Sequence, residues 1–385
     1  KKNSDATWQE ATPETIKSFS ALLFSFGVPL QKELDVPVGL MVGAVGGTPS
    51  GFWLSEAMYR EDPACAEAVR KFAVTYDYDA EKAKYDVLKA KFDEEFAKWK
   101  PLADQAKQEG KPAPPGPRTP QGVGKPGEAV GGKVGQLFES FIRPYVGYAI
   151  KGVLWDQGES RTAIVGVPQY ELMGALIKGW RKAWGQGEFP FLYVQKPSGG
   201  GCAWDYNNPL MNKADPFKPL PPAIPQPPTP EYSHAYFATF VKYPGTYMVA
   251  SSDLGAGTHP TNKSAYGARA AQVAQSVAYG GKAEYLGPLY ASHEIKGDKV
   301  TLKFTHAGKG LAFKNGEKLQ GFMIAGEDKK FVWADAEIAG ETVVVSSKEV
   351  PQPAAVRYAW SGQFNWANLF NQDGLPAQPF RTDAW

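Results

Sequence analysis

Residues 149–160, AIKGVLWDQGES, combine a short apolar run with a polar group directly after it. A run this short is typical of a strand that is buried on both faces of a parallel sheet. Further runs of this kind lie at 37–45, 189–195 and 245–251, and helical spacing occurs at 15–34, 169–184 and 260–278. Strands that alternate with helices predict an α/β fold with a doubly wound parallel sheet. In the last helix, Pro260 stands at the first turn, and Thr258 or His259 is predicted near the cap.

The length of 385 residues predicts two folding units. Residues 1–283 form the predicted α/β domain, with a helical and Pro-rich insertion at 56–133. From 284 to 360 the apolar period changes to two, which predicts a smaller antiparallel, β-sandwich-like domain. Residues 361–385 are predicted to pack back on the body as a tail.

The insertion contains a long predicted helix at 79–108. Its apolar stripe, formed by Tyr85, Leu88, Phe92, Phe96 and Trp99 at spacings of three and four, is predicted to pack on the body. A ligand-gripping role is the alternative. Residues 110–132 and 216–230 are rich in Pro and are predicted to be extended surface loops.

Composition excludes several classes of function. Lys and Arg number 42 against 40 Asp and Glu, and the basic residues are dispersed, which argues against nucleic acid as a partner. No apolar run approaches the roughly 20 residues of a membrane-spanning helix, so a soluble chain without a membrane partner is expected. Cys65 and Cys202 are either two buried thiols or one bridge.

Polar groups follow three of the predicted strands. They are Gly46-Gly47-Thr48, Gln157-Gly158-Glu159, and the stretch from Asp253 to His259. Because ligands bind beyond the carboxyl ends of the strands in open parallel sheets, these groups form the predicted site.

His259 is the candidate general base, since a neutral imidazole at a loop-to-helix boundary can take a proton near neutral pH. A helix-cap histidine is the alternative. Asp253 is the candidate acid that orients His259, or else a loop-capping aspartate. His234, His293 and His306 lack acid or thiolate neighbours at ligand spacing, so neither a metal nor another cofactor is predicted.

The remaining candidates would bind the substrate or its oxyanion. The side-chain amide of Gln157 and the backbone N–H groups of Gly46 and Gly47 are possible oxyanion donors, although each can instead serve turn geometry. Glu159 is predicted to support the site through hydrogen bonds, and Trp155 is assigned to the substrate-binding surface.

Several blocks of the sequence together resemble one family. They are FSALLFSFGVPLQKELDVPVGLMVGAVGGTPSGFW, AIKGVLWDQGES, FPFLYVQKP, SSDLGAGTHPTNKSAYGARAA, KLQGFMIAGEDKKFVWADAEI, VRYAW and GLPAQPFRTDAW. In this order they resemble the sialate O-acetylesterases, which are carbohydrate esterases of the SGNH type. The resemblance runs from Trp8 nearly to Trp385 and is weakest in the insertion.

The resemblance implies removal of acetyl groups from sugar hydroxyls through a serine acyl-enzyme, with His259 at the family's His-Pro position. The family's serine stands in a Gly-Gln-Ser-Asn-Met segment, which is expected upstream of Lys1, in the same polypeptide or in a separate N-terminal chain. Ser50, Ser160 and Ser252 are the alternatives within the sequence.

Two further expectations follow from the resemblance. Asp156 replaces the tyrosine that is common in the family's Trp-Tyr-Gln-Gly-Glu-Ser motif, which puts the substrate preference between sialic acid and other acetylated glycans in doubt. A periplasmic or extracellular location is also implied. The rival interpretation is a non-catalytic glycan-binding or assembly protein on an esterase scaffold.

Overall fold

The computed structural model describes residues 7–225 and 242–385. A three-stranded parallel sheet lies at its centre, formed by β1 (Val153–Trp155), β2 (Phe191–Val194) and β3 (Thr246–Val249) in that order. In this register, Val153 pairs with Phe191 and Phe191 pairs with Thr246. Three of the four predicted strands are therefore present, each shorter than its apolar run.

Side chains that alternate along these strands fill two separate cores. On one face, Trp155, Phe191, Tyr193 and Met248 pack with the buried side of α5 (Gln169–Trp184). On the opposite face, Leu192, Val194 and Val249 pack with α6 (Lys263–Ala278) and with Leu30 of α1 (Ala21–Leu34). Helices thus cover both faces, which explains why the strands are apolar throughout.

The fourth predicted strand, at 37–45, is not a strand in the structure. The segment contains no β-bridge and is only partly buried, with Val42 and Val45 exposed by 40% and 37%. Its apolar sequence would suit a position between two strands, but in the described chain no strand pairs with it. The prediction of a buried strand at 37–45 is therefore wrong, although the segment is apolar as its sequence shows.

The helices α1 and α6, which pack on the same face of the sheet, both begin later than predicted. Thr15–Ser18 forms a separate 3₁₀ turn, and the hydroxyl of Ser20 caps α1 by accepting from the N–H of Leu23 at 3.3 Å. Asn262 is the cap residue of α6, so neither Thr258 nor His259 has that position.

The insertion is helical. It contains α2 (Glu56–Arg60), α3 (Pro63–Ala73) and α4 (Tyr78–Gln108). The apolar stripe of α4 packs against the Pro-rich segment and not on the body as predicted: the indole Nε1 of Trp99 donates to the carbonyl of Pro114 at 2.8 Å, and Gly116 lies against the same ring. Leu88 of this stripe is 56% exposed.

The C-terminal third is antiparallel, as its period of two predicts. The strands are β4 (Leu289–Lys296), β5 (Lys299–Thr305), β6 (Leu311–Phe313), β7 (Phe322–Ala325), β8 (Val332–Trp333), β9 (Asp335–Ala339), β10 (Thr342–Ser346), β11 (Ala355–Tyr358), β12 (Leu369–Asn371) and β13 (Phe380–Arg381). One sheet has the order β4-β5-β10-β9, a second has the order β13-β11-β7-β8, and β12 pairs with β6. The tail at 361–385 thus supplies two strands to this part of the chain. The predicted domain boundaries stay a prediction.

Both cysteines are buried free thiols, so the single bridge is not formed. Burial raises the pKa of Cys65 and of Cys202 to about 12. Within the described ranges, no helix is long and apolar enough to span a bilayer.

Candidate functional site

The loops that follow the three parallel strands meet at the carboxyl edge of the sheet. Gln195, directly after β2, accepts the backbone N–H of Ser251 at 3.0 Å. Gly199 packs so closely on the β3 loop that a Cβ there would lie 2.4 Å from the Cα of Ala256. These contacts bring the β2 loop against the loop that contains His259.

Lys196 is a buried charged residue at this edge. Its side chain is 3% exposed, and Nζ lies 2.7 Å from Oδ1 of Asp156 and 2.5 Å from Oε1 of Glu159. The two carboxylates are 20% and 30% exposed, so the cluster carries one net negative charge near solvent. Lys196 was missed in the sequence, although its place just after a predicted strand was a usable signal. Glu159 pairs with Lys196, and its predicted supporting role stays a prediction.

Gln157 joins the β1 loop to the glycine turn. Its side-chain Nε2 donates to the carbonyl of Thr48 at 2.9 Å, so this amide holds the turn in place. Gly46 and Gly47 are exposed, and no atom lies within 4 Å of where their Cβ atoms would be. Gly47 has φ +72°, a conformation that L side chains rarely adopt. The structure therefore brings Gln157 and the turn together, with the turn open to solvent.

His259 lies on the loop between β3 and α6 with an exposed side chain. Within residues 7–225 and 242–385, no hydrogen bond to its imidazole is found. Asn262 instead anchors this loop, because its Nδ2 donates to the carbonyls of Leu210 and Leu254 at 2.9 and 3.0 Å. The helix-cap alternative for His259 is therefore not observed, and its ring is accessible to a substrate.

Asp253 does not orient His259 in this structure. Asp253 is fully buried, and Arg269 of α6 binds both of its carboxylate oxygens at 3.2 and 2.8 Å. Arg269 also donates to the carbonyl of Ala250 at 3.1 Å. The prediction failed because Arg269, sixteen residues further along, offers a bidentate partner that a loop histidine cannot match.

Trp155 also differs from its predicted role. The residue is only 7% exposed, and its ring packs edge-on against Trp53 and Trp180 at centroid distances of 6.4 and 5.9 Å. It is a core residue, because the last position of a strand buried on both faces points into a helical layer.

Two of the three alternative serines are enclosed. Ser50 is fully buried, with its hydroxyl oxygen 3.1 Å from the carbonyl oxygen of Arg161 and 3.0 Å from Oε1 of Gln169, and Ser252 is 2% exposed. Ser160 is exposed on the loop after β1, with no hydrogen bond to His259 in the described chain. None of these hydroxyls is paired with the candidate base.

The other histidines lie elsewhere. His293 contacts the hydroxyl of Tyr290 at 2.7 Å, and His306 contacts Glu284 at 2.9 Å. His234 lies outside the described residues. Among the side chains that the structure describes, no three His, Cys, Asp or Glu residues cluster as metal ligands would.

The fold is similar to that of a solved carbohydrate esterase. A carbohydrate acetylesterase from Xanthomonas citri is 28% identical and superposes with a TM-score of 0.66 over 98% of this chain and 68% of that chain. No family model matches the sequence. The chain therefore has the fold of a carbohydrate acetylesterase.

Curated relatives give a more particular result. The sialate O-acetylesterases of Pongo abelii and Homo sapiens are each 24% identical over 407 aligned positions, which include 98% of this chain and 64% of theirs. The Rattus norvegicus sialate O-acetylesterase is also 24% identical. These similarities confirm the resemblance to the sialate O-acetylesterase family along nearly the whole sequence. The chain spans less than two thirds of the length of the first two relatives.

Proposed function

We propose that this chain forms the larger part of a carbohydrate O-acetylesterase of the SGNH type. The observation that carries the proposal is an exposed imidazole, His259, which makes no hydrogen bond with the described residues and lies on a loop at the sheet edge where Gln157 fixes an open glycine turn. The names of the relatives support an acetylated carbohydrate as substrate. A periplasmic or extracellular location is part of the same proposal.

In the proposed reaction, a serine hydroxyl from outside residues 1–385 attacks the acetyl carbonyl while His259 takes its proton. Backbone N–H groups of Gly46 and Gly47 would stabilise the oxyanion. The sugar oxygen then leaves with the proton from the imidazolium, and an acetyl-serine remains. Water, deprotonated by His259, attacks this ester, and acetate departs as the serine regains its proton.

Asp253 takes no direct part in this proposal, because Arg269 already holds its carboxylate. Glu159 and Asp156 act by shaping the edge through Lys196. Their net negative charge favours a neutral acetylated glycan over an acidic sugar at this side of the cleft, since like charges repel. Sialic acid is an acidic sugar, whereas neutral polysaccharides are not.

Replacing His259 by Ala in the complete protein is expected to lower acetate release by orders of magnitude, because proton transfer from the nucleophile is lost. The measurement is acetate released from acetylated glycans, including O-acetylated sialic acid and acetylated xylan. His293→Ala, which removes an exposed histidine from β4, is the control and should retain activity. Near-normal turnover of the His259 variant would refute the assignment.

The rival function is non-catalytic glycan binding on the same scaffold. Its support is that no described serine is paired with His259. If the complete protein binds acetylated glycans but releases no acetate, while its β1–β3 edge remains folded, the rival is favoured.

A further inference from the structure

The Pro-rich segment at 111–121 runs back along α4 and forms an arm with it. The 31 residues of α4 span about 46 Å. Ala103 is the buried residue of α4, and in the described chain no other helix or strand packs along its length. The arm therefore projects from the body.

One face of the Pro-rich segment lies on α4. Its partly buried prolines are Pro114, Pro117 and Pro120. Their spacing of three is that of a polyproline II helix, whose residues i and i+3 share a face. Far from the body, the indole of Trp99 donates to the carbonyl of Pro114 at 2.8 Å, and near the body Nζ of Lys125 lies 5.8 Å from the ring centre of Tyr78. The segment is therefore antiparallel to α4.

A cavity of about 420 Å³ opens between the helix and the segment, midway along the arm. The helix lines it with Leu88, Lys91, Phe92 and Glu95, and the segment lines it with residues 118–121. The volume lies within the range of about 300–1,000 Å³ that is usual for small-molecule sites. The cavity is thus large enough to hold a ligand.

The cavity has an apolar floor, formed by Leu88 and Phe92, and a charged rim. In the rim, Nζ of Lys91 lies 3.9 Å from Oε1 of Glu95, so these two charges largely offset each other. Arg118 is exposed, and among the described residues no hydrogen bond or ion pair to its guanidinium is found. A positive charge without a protein partner therefore lines the cavity.

This lining suits a carboxylated sugar. A carboxylate accepts two N–H groups of a guanidinium at once, so it would pair with Arg118. Sugar hydroxyls donate as well as accept, so they match Glu95 and the side-chain amide of Gln121. The C–H groups of a sugar ring pack on Leu88 and Phe92. A fatty acid offers no donor to Glu95, and a neutral sugar leaves Arg118 unpaired.

The arm is anchored to the loop between β1 and α5. Gly127, at the body end of the arm, donates its N–H to the carbonyl of Val165 at 2.8 Å, and the same loop contains Glu159 of the candidate site. Along α4, Phe92 lies about 21 Å from Tyr78, where the helix begins. A ligand that reaches both the cavity and the sheet edge is therefore a polymer.

We propose that this cavity is a second glycan-binding site, which takes a carboxylated sugar of a polysaccharide. Resting on the proposed function, the sheet edge would then act on a neutral acetylated sugar of the same chain. Binding at the arm raises the effective concentration of that chain at the edge, because the second contact becomes intramolecular. The gain applies to polymers alone, since a single sugar cannot reach both places.

Binding is measured first, on residues 1–385 and without any ester. Isothermal titration calorimetry compares hexagalacturonate, a chain of carboxylated sugars, with xylohexaose, which is neutral. We expect hexagalacturonate to bind about tenfold or more tightly than xylohexaose, because its carboxylates pair with Arg118. Inorganic tripolyphosphate should bind more weakly than hexagalacturonate, since it offers Glu95 no hydrogen-bond donor.

Substitutions at Arg118 separate charge from geometry. Arg118→Lys keeps the positive charge but loses the planar guanidinium, whereas Arg118→Ala loses both. We expect the Kd for hexagalacturonate to rise about threefold or more in Arg118→Lys and about tenfold or more in Arg118→Ala. Val87→Ala, an exposed position of α4 outside the cavity lining, is the matched control and should bind as the parent does. All three variants change an exposed side chain, so each should fold.

The link to the sheet edge is measured on the complete protein. Arg118→Ala should raise KM for acetylated glucuronoxylan about threefold or more and leave kcat unchanged, because binding at a distance is lost and the reacting groups are untouched. Neither value should change for p-nitrophenyl acetate, which has no second sugar. An unchanged KM for glucuronoxylan would overturn the link between the arm and the edge.

The binding site itself is overturned if hexagalacturonate does not bind, if xylohexaose or tripolyphosphate binds as tightly, or if Arg118→Ala binds as the parent does. Because binding is measured without an ester, near-normal turnover of His259→Ala would refute the proposed function and leave this site standing. Loss of hexagalacturonate binding would do the reverse.

Discussion

Lys196 has a buried ammonium group that two partly exposed carboxylates neutralise. Lys196→Met keeps most of the side-chain volume but leaves Asp156 and Glu159 to repel each other. We expect a loss of about 1–3 kcal/mol in the free energy of unfolding, below the cost of a fully buried pair because both carboxylates reach solvent. Urea unfolding at low and high salt is the measurement, and about 1 M salt should recover part of the loss. A variant as stable as the parent at low salt would contradict this account.

Asp253 and Arg269 form the other buried ion pair of the site, and here both partners are buried. Asp253→Asn should destabilise the protein by about 3–5 kcal/mol, because it leaves the guanidinium without its counter-charge. Combining it with Arg269→Met should recover much of that loss, which a double-mutant cycle in urea would measure. If Asp253→Asn leaves stability unchanged but lowers activity as His259→Ala does, Asp253 is an orienting acid after all.

At the residue scale, chain position predicted which candidate residues lie at the edge of the sheet. Gln157, Glu159 and His259 stand where strands end, so their approximate place followed from the parallel sheet. Lys196 could have been found in the same way, but Arg269 could not, because it lies within α6 and its approach to Asp253 depends on three-dimensional packing. Asp253 was therefore predicted to contact His259, which is near it in sequence, whereas its partner in the structure is Arg269.

Between the elements, α1 and α6 pack through one glycine. A Cβ on Gly267 would lie 2.4 Å from the backbone carbon of Ser25, which cannot move without shifting α1. Gly267→Ala should therefore cost about 1–3 kcal/mol through overpacking. In the matched variant Gly27→Ala, the new Cβ meets only the end of the Leu40 side chain, and helix propensity offsets the contact by up to about 1 kcal/mol. Thermal unfolding of the two variants checks the order, and equal losses would contradict it.

The element pattern explains which strands and helices could be anticipated. Apolar runs at β1, β2 and β3 gave the correct element type, since both faces of each strand are covered. Residues 37–45 have the same composition, yet a strand also requires a neighbour, which composition does not reveal. Likewise, the stripe of α4 was predicted to pack on the body, but Trp99 contacts the Pro-rich segment that follows it in the chain, and Leu88 and Phe96 are exposed.

Across the whole molecule, the tail at 361–385 contacts the same loop that contains Lys196. Phe364 donates its backbone N–H to Gly200 at 2.7 Å, and Gln195 donates to Gln378 at 3.1 Å. Cys202 donates from its thiol to the carbonyl of Ala367 at 3.3 Å. The C-terminal part of the chain thus packs against the β2 loop. Folding of this part is therefore linked to the geometry of that loop.

The two thiols predict how stability depends on alkaline pH. Burial, with the nearby Asp62 charge, raises the pKa of Cys65 from 9.0 to about 12, and burial raises that of Cys202 equally. Because the folded pKa values exceed the unfolded ones, the folded state keeps its protons longer. The contribution of the protonated thiols to the free energy of unfolding is fully present below about pH 9. It is lost as pH rises toward 12, by about 1 kcal/mol per thiol per pH unit.

Urea unfolding at pH 8, 9, 10 and 11 measures this loss. Buried tyrosines such as Tyr266, whose pKa burial raises from 10.0 to about 12, begin to add to the loss as pH approaches 10. The contribution of the thiols is therefore taken from the difference between the parent and a variant without them, since the tyrosines are common to both. The Cys65→Ala, Cys202→Ala double variant should have a flatter slope above about pH 9, whatever its stability at pH 7, because its unfolded chain has no thiol to ionise. An unchanged slope would mean that other groups control the alkaline transition.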